Sequence, residues 1–191
     1  MRVIRAFVWA TVLVVGGCAS GPSIFTNEDP KADFSRYTTY DFQVPLGTDR
    51  NDGVRTPLSQ YLIDAVGAEL DARGYVRQVD APSMIVNVYL HTEEKLQTFT
   101  VPSSGYYGHG YRSGYYGAWG GYETETYQYT QGTLSVDLVD PSRKVLIWEG
   151  FAEGEISRKV RENLQAAVSD AVADIFAKYP HSAGIDGSPT R

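Results

Sequence analysis

The chain has 191 residues, 42% apolar and 21% charged, with a formal net charge of −6. That balance fits one globular domain and excludes a fibrous, collagen-like or wholly disordered chain. One cysteine excludes an internal disulfide, and beside only three histidines it makes a poor zinc cage.

The first segment reads as targeting. Arg2 and Arg5 form a basic start, and Ala6 to Val15 is an apolar run of ten residues. As a helix this run is about 15 Å long, half of a roughly 30 Å hydrocarbon core, so it reads as a secretory signal and not as a span. Val15-Gly16-Gly17-Cys18 then resembles the lipobox of bacterial lipoproteins. That resemblance implies cleavage after residue 17, lipid on the Cys18 thiol and a tether over residues 18–22. Ala19, where Asp would favour the inner membrane, implies the outer one. Two or more acyl chains would give lasting attachment where one does not. Cleavage would leave 174 residues with 15 basic and 23 acidic side chains, a net charge of −8. Such a surface does not attract nucleic acid.

The rest reads in order as follows. Ser23 to Asn27 is a short edge strand, and Tyr37 to Val44 a strand with Tyr40, Phe42 and Val44 on one face. Leu46 to Arg55 is a loop of turn formers. Thr56-Pro57 opens a helix with an apolar stripe from Leu58 to Leu70, closed by Gly74. A brief strand follows over Tyr75 to Val79. Met84 to Val101 alternates as a long strand, and Tyr127 to Val139 and Lys144 to Ile156 are two more, joined by the turn Asp140-Pro141-Ser142-Arg143. Apolar residues from Val160 to Tyr179 recur at helical spacing up to Pro180, and a polar tail expected to be disordered follows over 181–191. The expected fold is one α+β domain over residues 23–180. Its sheet of five to six strands would be largely antiparallel, with the option of a mixed one. Two amphipathic helices, at about 57–73 and 160–178, would cover one face.

Within a Gly/Tyr-rich loop at 103–126 lies a repeat: Ser104-Gly105-Tyr106-Tyr107-Gly108 returns as Ser113-Gly114-Tyr115-Tyr116-Gly117. Glycine this dense opposes a helix or a packed strand. The plain reading is a mobile hairpin extension. The functional reading is an adhesive aromatic surface built from Tyr106, Tyr107, Tyr111, Tyr115, Tyr116, Trp119 and Tyr122, able to stack on sugars or rest at a bilayer interface.

Catalytic patterns are weak. The run from Gly108 to Gly114 has dinucleotide-turn spacing without a following helix, and Asp49 to Gly53 is a calcium-like turn with Gln60 where a bidentate Glu belongs. His91 and Glu93 share a strand face but lack a third ligand. Asp137 and Glu149 could face each other across the last hairpin. Gly132 and Gly150, inside strands, mark bulges or close backbone approach, and Trp148 reads as core on a face with Leu146 and Ala152. No metal, cofactor or catalytic residue is assigned.

Several segments taken together resemble a bacterial lipoprotein family called domain of unknown function 4136. They are Asp33 to Phe42, Ala72-Arg73-Gly74-Tyr75, Ile85 to Val88, Trp119 to Tyr122, Gly132 to Asp140, Leu146 to Gly150, and Tyr179-Pro180. Phe42 stands where the family usually has Trp, and Glu149 where a basic residue is common. The resemblance implies an envelope lipoprotein and brings no catalytic residues. With the anchor and the aromatic loop, the expectation is a non-enzymatic binding or scaffolding module on the outer membrane, facing the periplasm. Its partner would be another envelope protein or peptidoglycan. The alternatives are a hydrolase using Asp and Glu carboxylates and a carrier of a small hydrophobe or lipid.

Overall fold

The computed structural model describes residues 21–102 and 122–187. The signal, Cys18, and Tyr106, Tyr107, Tyr111, Tyr115, Tyr116 and Trp119 lie outside these residues, as does the dinucleotide-like turn. Six strands appear: β1 (Ser23–Glu28), β2 (Thr39–Phe42), β3 (Val76–Arg77), β4 (Met84–Pro102), β5 (Tyr122–Asp140) and β6 (Val145–Glu155). Three helices accompany them: α1 (Pro57–Ala72), α2 (Arg158–Glu162) and α3 (Leu164–Phe176).

The strands form one sheet in the order β1-β6-β5-β4-β2-β3. It is mixed, which corrects the largely antiparallel expectation. β4, β5, β6 and β1 pair antiparallel, but β2 runs parallel to both β3 and β4. The cause is the crossover: α1 lies between β2 and the strands that flank it, and a helical crossover returns the chain in the same direction.

Thr56 starts α1 as expected, its side-chain oxygen accepting the Ser59 N–H at 3.0 Å. Leu62, Val66 and Leu70 enter a core with Val168, Val172, Ile175 and Phe176 of α3. The strands supply Tyr40, Phe42, Met84, Val86, Val88, Val136 and Leu138, so both helices cover the same face. The final helix divides at Asn163, whose φ of −128° and ψ of 48° are not helical. The expected strand at 37–44 is shorter, ending at Phe42, and Val44 is exposed beside Pro45.

One irregularity explains how β6 meets the core. The β5–β6 register shifts between Leu138 and Val139: Leu138 faces Trp148, and Val139 faces Leu146. Ile147 is therefore the extra residue of a bulge. Ile147 and Trp148 are both buried in succession, while Leu146 is 39% exposed. Trp148 is core as expected, but Leu146 is not on its face. Gly150 is the close approach its position predicts: a Cβ there would lie 2.5 Å from Ile175 Cγ2 and from the Trp148 ring. Beyond Pro180 the chain stays against the body as far as Gly187. His181 is buried and stacked on Phe34 with ring centroids 3.5 Å apart, and the Gly184 N–H donates to Tyr37 O at 2.9 Å.

Candidate functional site: a projecting arm and the groove at its root

β4 and β5 have 19 residues each and pair from Ile85↔Val139 to Pro102↔Tyr122. Their neighbours are much shorter. β6 reaches β5 only at Gln131, and β2 leaves β4 at Val86. From Glu94↔Thr130 outward, nine residue pairs continue as a two-stranded ribbon. At about 3.4 Å per residue this arm extends roughly 30 Å beyond the body. The segment 103–121 joins its far ends. Residues 122–126, expected in the loop, belong to β5, and Tyr122 is its first residue.

Alternation sorts the side chains into two faces. One carries Tyr127 and Tyr129, stacked with centroids 6.1 Å apart and ring planes 12° apart. Phe99 lies on the same face, diagonal to Tyr127 through the pairs Gln97↔Tyr127 and Phe99↔Glu125. The other face carries the pairs Thr98↔Thr126 and Thr100↔Thr124 and the neighbouring Leu96. Leu96 is 70% exposed and Tyr127 52%.

A groove of about 240 Å³ sits where β6 departs from β5. The departure is set by two contacts. The Ile156 N–H donates to Thr130 O at 2.8 Å, and Ser157 then caps α2 by accepting the Val160 N–H. The chain swings away there and leaves the β5 edge open. Tyr127, Gln128, Glu94, Glu155, Arg158 and Arg161 are among the lining residues. Tyr127 Oη donates to Glu155 Oε1 at 3.2 Å, and Gln128 Nε2 donates to Glu94 Oε2 at 2.7 Å. Arg158 pairs with Glu162, while Arg161 Nη1 donates to the Ile156 carbonyl at 3.1 Å. Exposed aromatic faces beside planar polar groups can take hydrogen-bonding ligands. Sequence reasoning missed Tyr127, Tyr129 and the two arginines as site residues. The pattern Tyr127-Gln128-Tyr129 already put both rings on one face; the arginines come from α2, a short helix that the sequence reading did not separate from the last one.

The carboxylate pair is real in register. Asp137 faces Glu149 across β5 and β6, and Asn87 and Asn27 complete the row on the face away from the helices. Asn27 Nδ2 donates to Glu149 Oε1 at 3.2 Å. Burial pushes the Asp137 carboxyl above its ordinary range and the charge of Glu149 adds to the rise, against a 2.7 Å hydrogen bond from the Ser135 hydroxyl. His91 and Glu93 lie on that same face of β4, and no metal-ligating group of three is present among the described residues.

The family model described as Domain of unknown function (DUF4136) matches residues 24–181. The chain belongs to this family. The DUF4136 span contains the body, the arm and the groove alike. Its opening segment is core: Asp33 caps a 3-10 turn, Phe34 stacks on His181, and Tyr40 and Phe42 are buried, with the Arg77 guanidinium 5.1 Å from the Phe42 ring centroid. A search of curated proteins finds no match. Among solved structures, a PDZ domain protein from Parabacteroides distasonis is similar at 13% identity and a TM-score of 0.55, over 87% of this chain. This chain spans 36% of that protein. A PelC dodecamer from Paraburkholderia phytofirmans is similar at 12% identity and a TM-score of 0.45, over 85% of this chain and 99% of that one. The first of these likenesses concerns the fold alone.

Proposed function

We propose that this DUF4136 chain is a non-enzymatic binding module of the cell envelope, held on the outer membrane through lipid on Cys18 and facing the periplasm. The supporting observation is the arm. Nine residue pairs of ribbon extend past every other strand of the described residues, and the Gly/Tyr segment 103–121 is attached at its far end. A protein that only needed to close a hairpin would not maintain such a ribbon, because two strands alone are marginally stable in water. The arm carries both attachment points of the aromatic segment, Pro102 and Tyr122, to its far end, and the partner is an envelope protein or peptidoglycan. Carriage of a lipid or small hydrophobe is disfavoured, because Leu62, Val66, Trp148, Ile175 and Phe176 fill the space between helices and sheet.

The test has two arms. Cys18→Ser is expected to move the protein from the membrane to the soluble fraction. Deleting residues 103–121 and joining Pro102 to Tyr122 through a short turn is expected to leave the melting temperature of the body unchanged and to reduce capture of partner or sacculi to background. Undiminished capture would end the role of the segment, and a Cys18→Ser protein still on membranes would end the anchor.

A hydrolase reading has one observation in its favour, the Asp137–Glu149 pair with Asp137 raised toward the acid form. Against it, the pair lies on a sheet face and does not line the groove. If the pair were catalytic, Asp137→Asn would abolish release of sugar or peptide from purified sacculi; a wild-type protein that releases nothing disposes of the reading.

A further inference from the structure

Among the described residues, nothing pairs with or covers one edge of the arm. Val86 O accepts the Gln43 N–H at 2.8 Å on the β2 side of β4, and Thr130 O accepts the Ile156 N–H on the β6 side of β5. Backbone groups of alternate residues point to alternate sides of a strand. The even-numbered residues of β4 therefore direct N–H and C=O away from β5. The unbroken register carries this parity outward through Leu96, Thr98 and Thr100. Pro102, next in the series, has no N–H and ends the usable edge.

Over Leu96–Val101 this edge has no charged residue, and Leu96 and Phe99 are exposed. Natural sheets normally protect such an edge with charges, a bulge or a covering element. Here Lys95 and Pro102 flank it and nothing interrupts it. The opposite edge differs: β5 carries Glu123 and Glu125 over the matching length.

We propose that Leu96–Val101 of β4 pairs antiparallel with the same segment of a second copy, giving a four-stranded sheet in the order β5-β4-β4-β5. The contact is isologous, so an uncharged edge meets its own equal and the assembly closes at two copies. The acidic β5 edges remain outside, where like charges oppose further growth. Geometry favours the antiparallel sense. A parallel β4–β4 contact would bring the two bodies together at one end, where β2 already occupies the lane beside Met84–Val86. An antiparallel β4–β5 contact would drive one body into the lane that β6 occupies beside Gln131–Asp140. The antiparallel β4–β4 contact puts the bodies at opposite ends.

The test is sedimentation of the purified full chain together with Thr98→Pro. Thr98 N–H points away from β5, so proline removes an edge donor without removing a β4–β5 ladder bond. The native chain is expected at twice the chain mass and Thr98→Pro at half that value, with circular dichroism unchanged. Thr98→Lys keeps the N–H and sets a charge on the edge, and it should also halve the mass; it serves if the proline variant does not fold. Under mild oxidation Thr98→Cys should crosslink copies and Thr126→Cys should not, with the native chain, whose sole cysteine is Cys18, as the blank. A native chain of single mass, an unchanged mass in both Thr98 variants, or crosslinking through position 126 instead of 98 would each overturn the proposal. Species larger than two copies would also overturn it, since a heterologous β4–β5 contact does not close.

Discussion

Trp148→Ala should destabilise the domain by about 3–5 kcal/mol, the range for removing a large buried aromatic side chain. Trp148 is 2% exposed and sits at the meeting point of three elements. Its ring centroid is 4.9 Å from Tyr179, edge to face, and 5.8 Å from Phe176. It also bounds the space that Gly150 leaves open beneath Ile175. The cavity cannot collapse easily. The bulge at Ile147 fixes the β6 backbone on one side, and on the other the Arg73 Nη2 bond to Phe176 O, at 2.7 Å, ties the end of α3 to the end of α1. For a chain of this size the loss lowers the melting temperature by roughly 6–20 °C. Urea titration of the two proteins checks it; a change within about 0.5 kcal/mol, the size of an ordinary surface substitution, would mean that α3 is not seated as described.

Much of this core was legible because burial leaves a periodic trace. The α1 stripe from Leu58 to Leu70 and the alternation from Met84 to Val88 each predicted their element and their covered face, although Leu90, next in the alternation, is exposed. The bulge at Ile147 could not be read that way. Leu146, Ile147 and Trp148 form an unbroken apolar run, and a run has no phase until its partner's register is known. The same limit hid the sheet's mixed character. Strand direction depends on where α1 crosses, and β3, only two residues long, offers too little pattern to reveal it. Asn163 divides the last helix without glycine or proline to announce it.

Legibility of the site follows a different logic. The Gly/Tyr repeat was conspicuous in composition, but its support was not. Residues 94–102 and 122–130 are bonded to the body at the root of the arm, through the Ile156 N–H to Thr130 O and Tyr127 Oη to Glu155, and pair with each other beyond it, so Thr, Gln, Tyr and Glu there mix with Leu96 and Phe99 without a clean alternation of apolar and polar types. The length of β4 could be read from the sequence, the first five residues of β5 were expected in the loop, and the projection of the pair depended on where β6 and β2 stop. The Asp137–Glu149 pairing was similarly a matter of register: sequence supplied two acids, and the β5–β6 ladder set them opposite each other.

Asp140→Asn is expected to cost about 2 kcal/mol at neutral pH, the range for hydrogen bonds to a buried charge. Asp140, 4% exposed, closes the β5–β6 turn. Its Oδ1 accepts from the Ser142 N–H at 2.8 Å and the Arg143 N–H at 3.0 Å, and Oδ2 from Arg143 Nε at 2.8 Å and Tyr37 Oη at 3.0 Å. Burial alone would raise this carboxyl, but the Ser142, Arg143 and Tyr37 hydrogen bonds outweigh it and hold it well below the usual carboxylate range. Burial also raises the Tyr37 phenol, which therefore remains a donor to Asp140 at neutral pH. A group whose folded pKa is depressed adds stability above its unfolded pKa, about 3.9 for Asp, and loses it as the pH falls toward the folded value. The difference between the native protein and the Asp140→Asn variant should thus be constant from neutral pH down to about pH 5 and shrink below about pH 4. Urea titrations across that series measure it. A gap that stays the same width on acidification would show that the carboxylate's charge contributes nothing and that asparagine fails only through the shape of its hydrogen bonds.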